Sequence, residues 1–195
     1  RESIDADDTE WLLRGSITHQ LPNFAESMGI EGAELKYGVQ AKFKDRDFGL
    51  LIEEDLDDEE DIAANDGTFE YSEDRLDLYA VLDWQLSDSL RLETGVRAES
   101  TDTEQSFRND LFEGGEFEES VVGSADSDQF EFNPSAHLEW ALTDVDQLRF
   151  SVARTVRRPS IDQMIPALAL ESPADEDVTV GNPDLNFETS VGIDF

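Results

Sequence analysis

The chain has 195 residues, with 14 Lys and Arg against 48 Asp and Glu, so its formal net charge is −34. That balance lacks the basic stripe a phosphate backbone requires and excludes nucleic acid as a partner. The absence of Cys excludes disulfide scaffolds, thiolate metal sites and Cys nucleophiles.

No run of 18 apolar residues occurs, so no helix is expected to span a membrane, and the opening Arg1-Glu2-Ser3-Ile4-Asp5 has no signal-peptide pattern. A transmembrane β-barrel stays open, because its strands alternate rather than forming apolar runs. The first alternation sets Trp11, Leu13, Gly15 and Ile17 against Leu12, Arg14, Ser16 and Thr18. After a link at 22–32, Ala33, Leu35, Tyr37, Val39, Ala41 and Phe43 alternate with Glu34, Lys36, Gly38, Gln40, Lys42 and Lys44. The clearest segment runs from Leu76 to Leu86, with Leu76, Leu78, Ala80, Leu82, Trp84 and Leu86 on one parity. A short link, Ser87-Asp88-Ser89, leads to Leu90, Leu92, Thr94, Val96 and Ala98, which alternate with Arg91, Glu93, Gly95, Arg97 and Glu99. This predicts an antiparallel hairpin. A second hairpin joins 130–142 to 148–153 through Thr143 to Gln147, and a seventh alternation covers Thr189 to Phe195.

The links differ by side. Ser87 to Ser89 and Thr143 to Gln147 have three and five residues, while 45–74, 104–128 and 158–188 have 30, 25 and 31. Alternating short turns with long loops is the plan of outer-membrane barrels, although 22–32 is long for a turn on the short side. The three long links are read as acidic loops and together carry a net charge of −26, so the rest of the chain is only moderately acidic. Alternations of about ten to thirteen residues suit tilted membrane strands better than globular sheets. Trp84 and Trp140 each stand three residues before a short turn, which predicts an aromatic row at one membrane interface.

The densest acidic run, Glu53 to Asp61, has Glu60 where an EF-hand-like loop starting at Asp55 would need Gly, so it reads as a solvated loop rather than a specific cation site. No GxSxG elbow, phosphate-binding loop, HExxH or dinucleotide fingerprint is present, and no cofactor or enzymatic activity is expected. His19 and His137 lie on different strands and opposite parities. The charged parity of 91–99 cannot line a dry core and must be wetted or paired. Seven strands are too few to close a wetted lumen, so two readings remain: part of a large transmembrane barrel, or a soluble sheet domain.

Five segments resemble TonB-dependent outer-membrane receptors. The hairpin Leu78 to Leu86 and Leu90 to Glu99, with Gly95-Val96-Arg97-Ala98-Glu99, is similar to a barrel hairpin of that family. Asn133-Pro134-Ser135 opens the next strand, Ser151-Val152-Ala153-Arg154-Thr155-Val156-Arg157-Arg158-Pro159-Ser160 resembles the segment ending in Arg-Pro-Ser, and Gly181-Asn182-Pro183-Asp184-Leu185-Asn186-Phe187-Glu188-Thr189-Ser190 resembles the most specific motif, "GNPdLkPEts". Leu35 to Phe43 resembles an upstream strand. The resemblance covers about residues 10 to 195 and implies an all-β fold: antiparallel up-and-down strands forming part of a large transmembrane barrel in the outer membrane of a Gram-negative bacterium. It implies outer-membrane lipid, an extracellular nutrient (siderophore-bound iron, cobalamin or carbohydrate) and TonB as partners, the last through a plug that these residues do not include. Arg158, Pro159, Gly181, Asn182, Pro183 and Asp184 are read as fixing turn geometry rather than touching ligand, and no ligand-binding, catalytic or metal residue is assigned. Pro134 lacks a ladder donor and is expected near a rim or bulge. The other reading is a soluble secreted module whose acidic loops bind cations or glycans.

Overall fold

The computed structural model describes residues 2–52, 64–113, 116–164, 169–170, 178–179, 181–182 and 184–195. The elements are β1 (Glu2–Gln20), α1 (Pro22–Met28), β2 (Gly32–Ile52), β3 (Ala64–Ser87), β4 (Leu90–Glu113), β5 (Glu116–Ala141), β6 (Gln147–Arg157), α2 (Ile161–Met164), β7 (Ala169–Leu170), β8 (Val178–Thr179) and β9 (Glu188–Asp194). Seven of the strands form one antiparallel sheet in the order β1-β2-β3-β4-β5-β6-β9, and β7 pairs with β8 separately.

Every alternation read from the sequence lies on one of these seven strands, and the register aligns their apolar parities. One row runs His19, Leu35, Leu82, Thr94, Ala136, Val152, Ile193 across all seven strands. The next row toward the short turns is Ala33, Trp84, Leu92, Leu138, Phe150. Leu13, Leu78, Phe130, Phe132, Trp140, Val152 and Ile193 are all exposed on this face. A slip of one residue in any strand would turn its apolar set to the other side, so the register is fixed by what each face meets. On β3, ten residues separate Asp74, the partner of Phe43, from Trp84. At about 3.3 Å per residue and a tilt of about 40°, the apolar band is about 25 Å tall, the height of a membrane barrel's lipid-facing belt.

The strands do not stop at the band. Of the segments read as long loops, 45–52, 64–74, 104–113 and 116–128 are strand, continuing β2, β3, β4 and β5 as tall hairpins. The physical reason is that the outward face turns from apolar to acidic here, at Asp45, Asp47, Glu70, Glu104 and Asp126, while the inner face mixes polar residues with rings, so the alternation of hydropathy is lost although the backbone remains paired. Accessibility still alternates: Asp102, Glu104, Asp126 and Asp128 are exposed, while Thr101, Gln105 and Asn109 are buried. The run Glu53 to Asp61 lies outside the described residues. The link at 22–32 is not a loop either, since Pro22 opens α1 and Gly29, at φ 68, ends it with backbone bonds back to Ala25 and Glu26.

The far end of the sheet, opposite the short turns, holds a small core of Phe69, Tyr71 and Met164, flanked by Phe48, Phe107 and Leu185. It brings α2 and the stretch before β9 against the polar face. Pro134 stands just past the last β5–β6 pair, Ser135 with Ala153. Above it β6 leaves β5 and runs on with β9 to Arg157 and Glu188.

Phe107 lies over its cross-strand partner Gly123, where an added Cβ would come within 2.4 Å of the ring. Gly123→Val should therefore displace Phe107 and cost about 1–3 kcal/mol, seen as faster amide exchange confined to 100–128. Gly49→Ala, whose Cβ would meet nothing nearer than the Asp5 oxygen at 4.0 Å, should leave exchange unchanged.

Candidate functional site

The polar face carries an ion lattice built on one register row: Arg14, Gln40, Asp77, Glu99, Glu131 on β1 to β5. Three adjacent carboxylates in directly opposed positions repel one another. Cations and amides separate them here. Arg14 Nε donates to Gln40 Oε1 at 3.0 Å, and Gln40 Nε2 donates to Asp77 Oδ2 at 3.1 Å. Arg97 Nη2 reaches Asp77 Oδ2 at 2.5 Å while its Nε lies 3.3 Å from Glu99, and Arg75 Nε lies 3.5 Å from Asp77. Asn133 Nδ2 donates to Glu99 Oε1 at 3.2 Å, Arg158 donates to Glu99 Oε2, and Arg154 pairs with Glu131 at 2.6 Å. One turn farther along, Lys42 stands between Glu10 at 3.2 Å and Glu73 at 3.6 Å.

Asp77 is fully buried by these partners, and Glu99 nearly so. Such a lattice must be complete, because a buried charge that loses its partner is left with its full desolvation cost. Six of the chain's 14 Lys and Arg residues stand in it, and of the others Lys44 and Arg46 are paired with Asp8.

The residues singled out by motif meet this lattice from above. The Arg158 guanidinium that bonds Glu99 also stacks over the Phe187 ring, 5.0 Å from its centroid. Phe187 N–H donates to Gln129 Oε1 at 3.3 Å, and Pro159, Met164 and Leu185 line a small cavity of about 30 Å³ against Tyr71, Thr103 and Ser127. Asn182 N–H donates to the Gln163 carbonyl at 2.8 Å, and Asn182 Oδ1 accepts from the Asp184 N–H at 3.0 Å in a local Asx turn. Gly181 is half-buried beside this turn, and Pro183 lies outside the described residues. Arg154 completes the wall where β6 departs: its Nη1 donates to the Phe132 carbonyl and to Asn133 Oδ1, both at 2.9 Å.

Beyond the lattice the far hairpins sort their side chains by face. Polar-face positions of β4 and β5 are Thr101, Thr103, Gln105, Phe107 and Asn109 with Val121, Gly123, Ala125, Ser127 and Gln129, all uncharged. The opposite face bears Asp102, Glu104, Asp126 and Asp128, which with Asp45, Asp47 and Glu70 line an open cleft of about 600 Å³. Asp74, Asp102 and Asp128 form a second carboxylate row. A hydrogen bond that protonated Asp128 donates to the Asp102 carboxylate, reinforced by that negative charge, raises the Asp128 pKa. Asp8 and Asp110 go the other way, each held below the usual carboxylate range by a hydrogen bond from Arg46 or Arg108. Burial, with the Glu73 carboxylate beside it, drives the Tyr71 hydroxyl far above the ordinary phenol value. Among the described residues, no three His, Cys, Asp or Glu side chains group as a metal site.

Trp84 and Trp140 both lie on the apolar face near the short turns. Trp84 donates to Thr94 Oγ1 at 3.0 Å and meets the Phe24 ring of α1 at 5.6 Å, while Trp140 pairs with Leu90 and Leu148. Sequence reasoning marked Arg97 and Glu99 as needing water or partners. It missed Asp77, Gln40 and Arg154 because their partners lie on other strands and only the register row joins them.

Asp77→Asn leaves Arg75 and Arg97 without their shared carboxylate and should destabilise the folded barrel by about 3 kcal/mol, read as a lower unfolding temperature of the full-length protein in detergent. Asp128 has the opposite sign of a salt-bridged acid. Its raised pKa stabilises the fold fully below the unfolded value, and this contribution is lost as pH rises through the folded value. Amide protection over 100–128, corrected for intrinsic rates, should fall between about pH 3 and about pH 7, the range around carboxylate titration, and Asp128→Asn should flatten that fall.

A family model described as TonB dependent receptor-like, beta-barrel matches residues 4–195. No curated protein matches the chain. With a two-faced, up-and-down sheet over the matched length, the chain belongs to the TonB-dependent receptor family of outer-membrane transporters, within its β-barrel domain.

Proposed function

We propose that this receptor takes up an uncharged nutrient, a carbohydrate rather than an anionic ferric siderophore, recognised at the polar face of its far hairpins. The observation that carries this reading is the sorting of charge just described: the acids stand on the outward face, and the inner wall of β4 and β5 has none from Thr101 to Asn109 and from Val121 to Gln129. Anions approaching the rim are repelled by the acidic exterior. A sugar meets hydroxyls and amides at Thr103, Ser127 and Gln129, with the apolar ring of Phe107 beside them, and needs no cation. The lattice around Asp77 and Glu99 then serves as the wetted wall of the lumen, facing a plug through which TonB supplies energy. Trp84 and Trp140 mark the periplasmic interface, and Arg158, Pro159, Leu185 and Phe187 narrow the entrance from the extracellular side. Family membership takes the place of the reading as a soluble acidic module.

The test is ligand binding by the full-length receptor in nanodiscs, with a neutral maltooligosaccharide and an anionic ferric siderophore as probes. The oligosaccharide should bind with an affinity insensitive to salt, and Gln129→Glu with Thr103→Arg should weaken it by about tenfold, equivalent to about 1.4 kcal/mol. Tighter binding of the siderophore would overturn the carbohydrate assignment.

A further inference from the structure

The short-turn end carries an amphipathic helix on the membrane side of the sheet. In α1, Phe24, Ala25 and Met28 share one arc of about 100°, and Asn23, Glu26 and Ser27 take the opposite side. Ala25 is buried, as is Ala33 on β2, whereas Phe24 is 37% and Met28 58% exposed. The position of the helix relative to the wall follows from Phe24, whose ring meets Trp84 at 5.6 Å. Trp84 belongs to the apolar parity, so a helix touching it stands outside the barrel wall. Two backbone bonds fix it there, Leu21 N–H to the Ala33 carbonyl at 2.8 Å and Glu31 N–H to the Gln85 carbonyl at 2.9 Å, while Ile30 N–H closes the helix end on the Ala25 carbonyl at 3.1 Å. The exposed Phe24 and Met28 therefore continue the lipid-facing band past the ends of its strands.

We propose that α1 is an interfacial foot, lying in the boundary between headgroups and acyl chains of the periplasmic leaflet with Phe24 and Met28 inserted. The occupant of this apolar patch is lipid, because the patch is continuous with the band and shares Trp84 with it. The helix has no Lys or Arg, and Glu26 stands on its wet side, so apolar insertion rather than attraction to anionic headgroups holds it. This inference rests on the membrane placement of the apolar band, and the experiment separates the two.

The full-length receptor, cleared of any other Cys, is labelled with a small fluorophore at Met28→Cys, Ser27→Cys or Leu82→Cys and placed in nanodiscs of phosphatidylethanolamine and phosphatidylcholine. Quenching is compared between lipids bearing a nitroxide near the headgroup and aqueous iodide, which reaches both rims of a nanodisc. The Met28 label should be quenched several-fold more by the lipid nitroxide than by iodide, Ser27 the reverse, and Leu82 by lipid alone. A Met28 label quenched like Ser27, or reached by neither quencher, overturns the foot while a lipid-quenched Leu82 keeps the barrel. A Leu82 label that lipid does not quench overturns the band itself, and the foot with it.

Discussion

Three carboxylates largely shut off from water can occupy neighbouring positions across a sheet only when cations stand between them, and the row Asp77, Glu99, Glu131 imposes that condition on everything around it. Arg97 joins the first two, and Arg154 reaches the third from a strand that has already turned away. Arg158 answers Glu99 from beyond β6 and brings Phe187 with it, which fixes how the chain returns toward β9. The folding of the upper segment onto the wall is thus tied to charge compensation within the wall. The outward row Asp74, Asp102, Asp128 is the contrast: it faces water, and Asp128 holds its proton more tightly beside Asp102.

The distribution of scarce positive charge follows from the same condition. A chain with so large an acid surplus could still have placed its bases at the rim to attract an anion. Instead Arg14, Lys42, Arg75 and Arg97 sit within the sheet's polar face, where they hold strands in register. On β4 and β5 the far hairpin is left with a neutral interior and an acidic exterior, while on β2 the interior keeps Lys44 and Arg46, both paired with Asp8.

Much of this fold was legible in the sequence because lipid and water impose opposite demands on alternate residues, and Leu76 to Leu86 or Leu90 to Glu99 display both demands at once. Legibility ended where one of the solvents ended. Past Phe43 and Leu76 the outward residues meet water too, so Asp45, Ser72 and Glu104 read as loop although their backbones remain paired. The helix at Pro22 was hidden by its brevity, since seven residues give less than two full turns of periodicity. The site was less legible than the fold. Register decides which residues face each other across strands, and register cannot be read from Asp77 or Arg154 alone.

The departure of β6 from β5 leaves the barrel with a seam. Among the described residues no strand pairs with β5 above Ser135 on that side, and the Phe132 carbonyl is met by a guanidinium rather than a backbone N–H. Arg154 acts there as a rivet, one side chain standing in for a run of ladder bonds, beside a proline that has no donor to give. Strands laced along their full length part by unzipping from an end, whereas this seam is held by separate contacts: Arg154, Arg158 on Glu99, and the Phe187 N–H on Gln129. Stress on the wall there is borne by these few contacts before it reaches the ladder at Ser135 and Ala153.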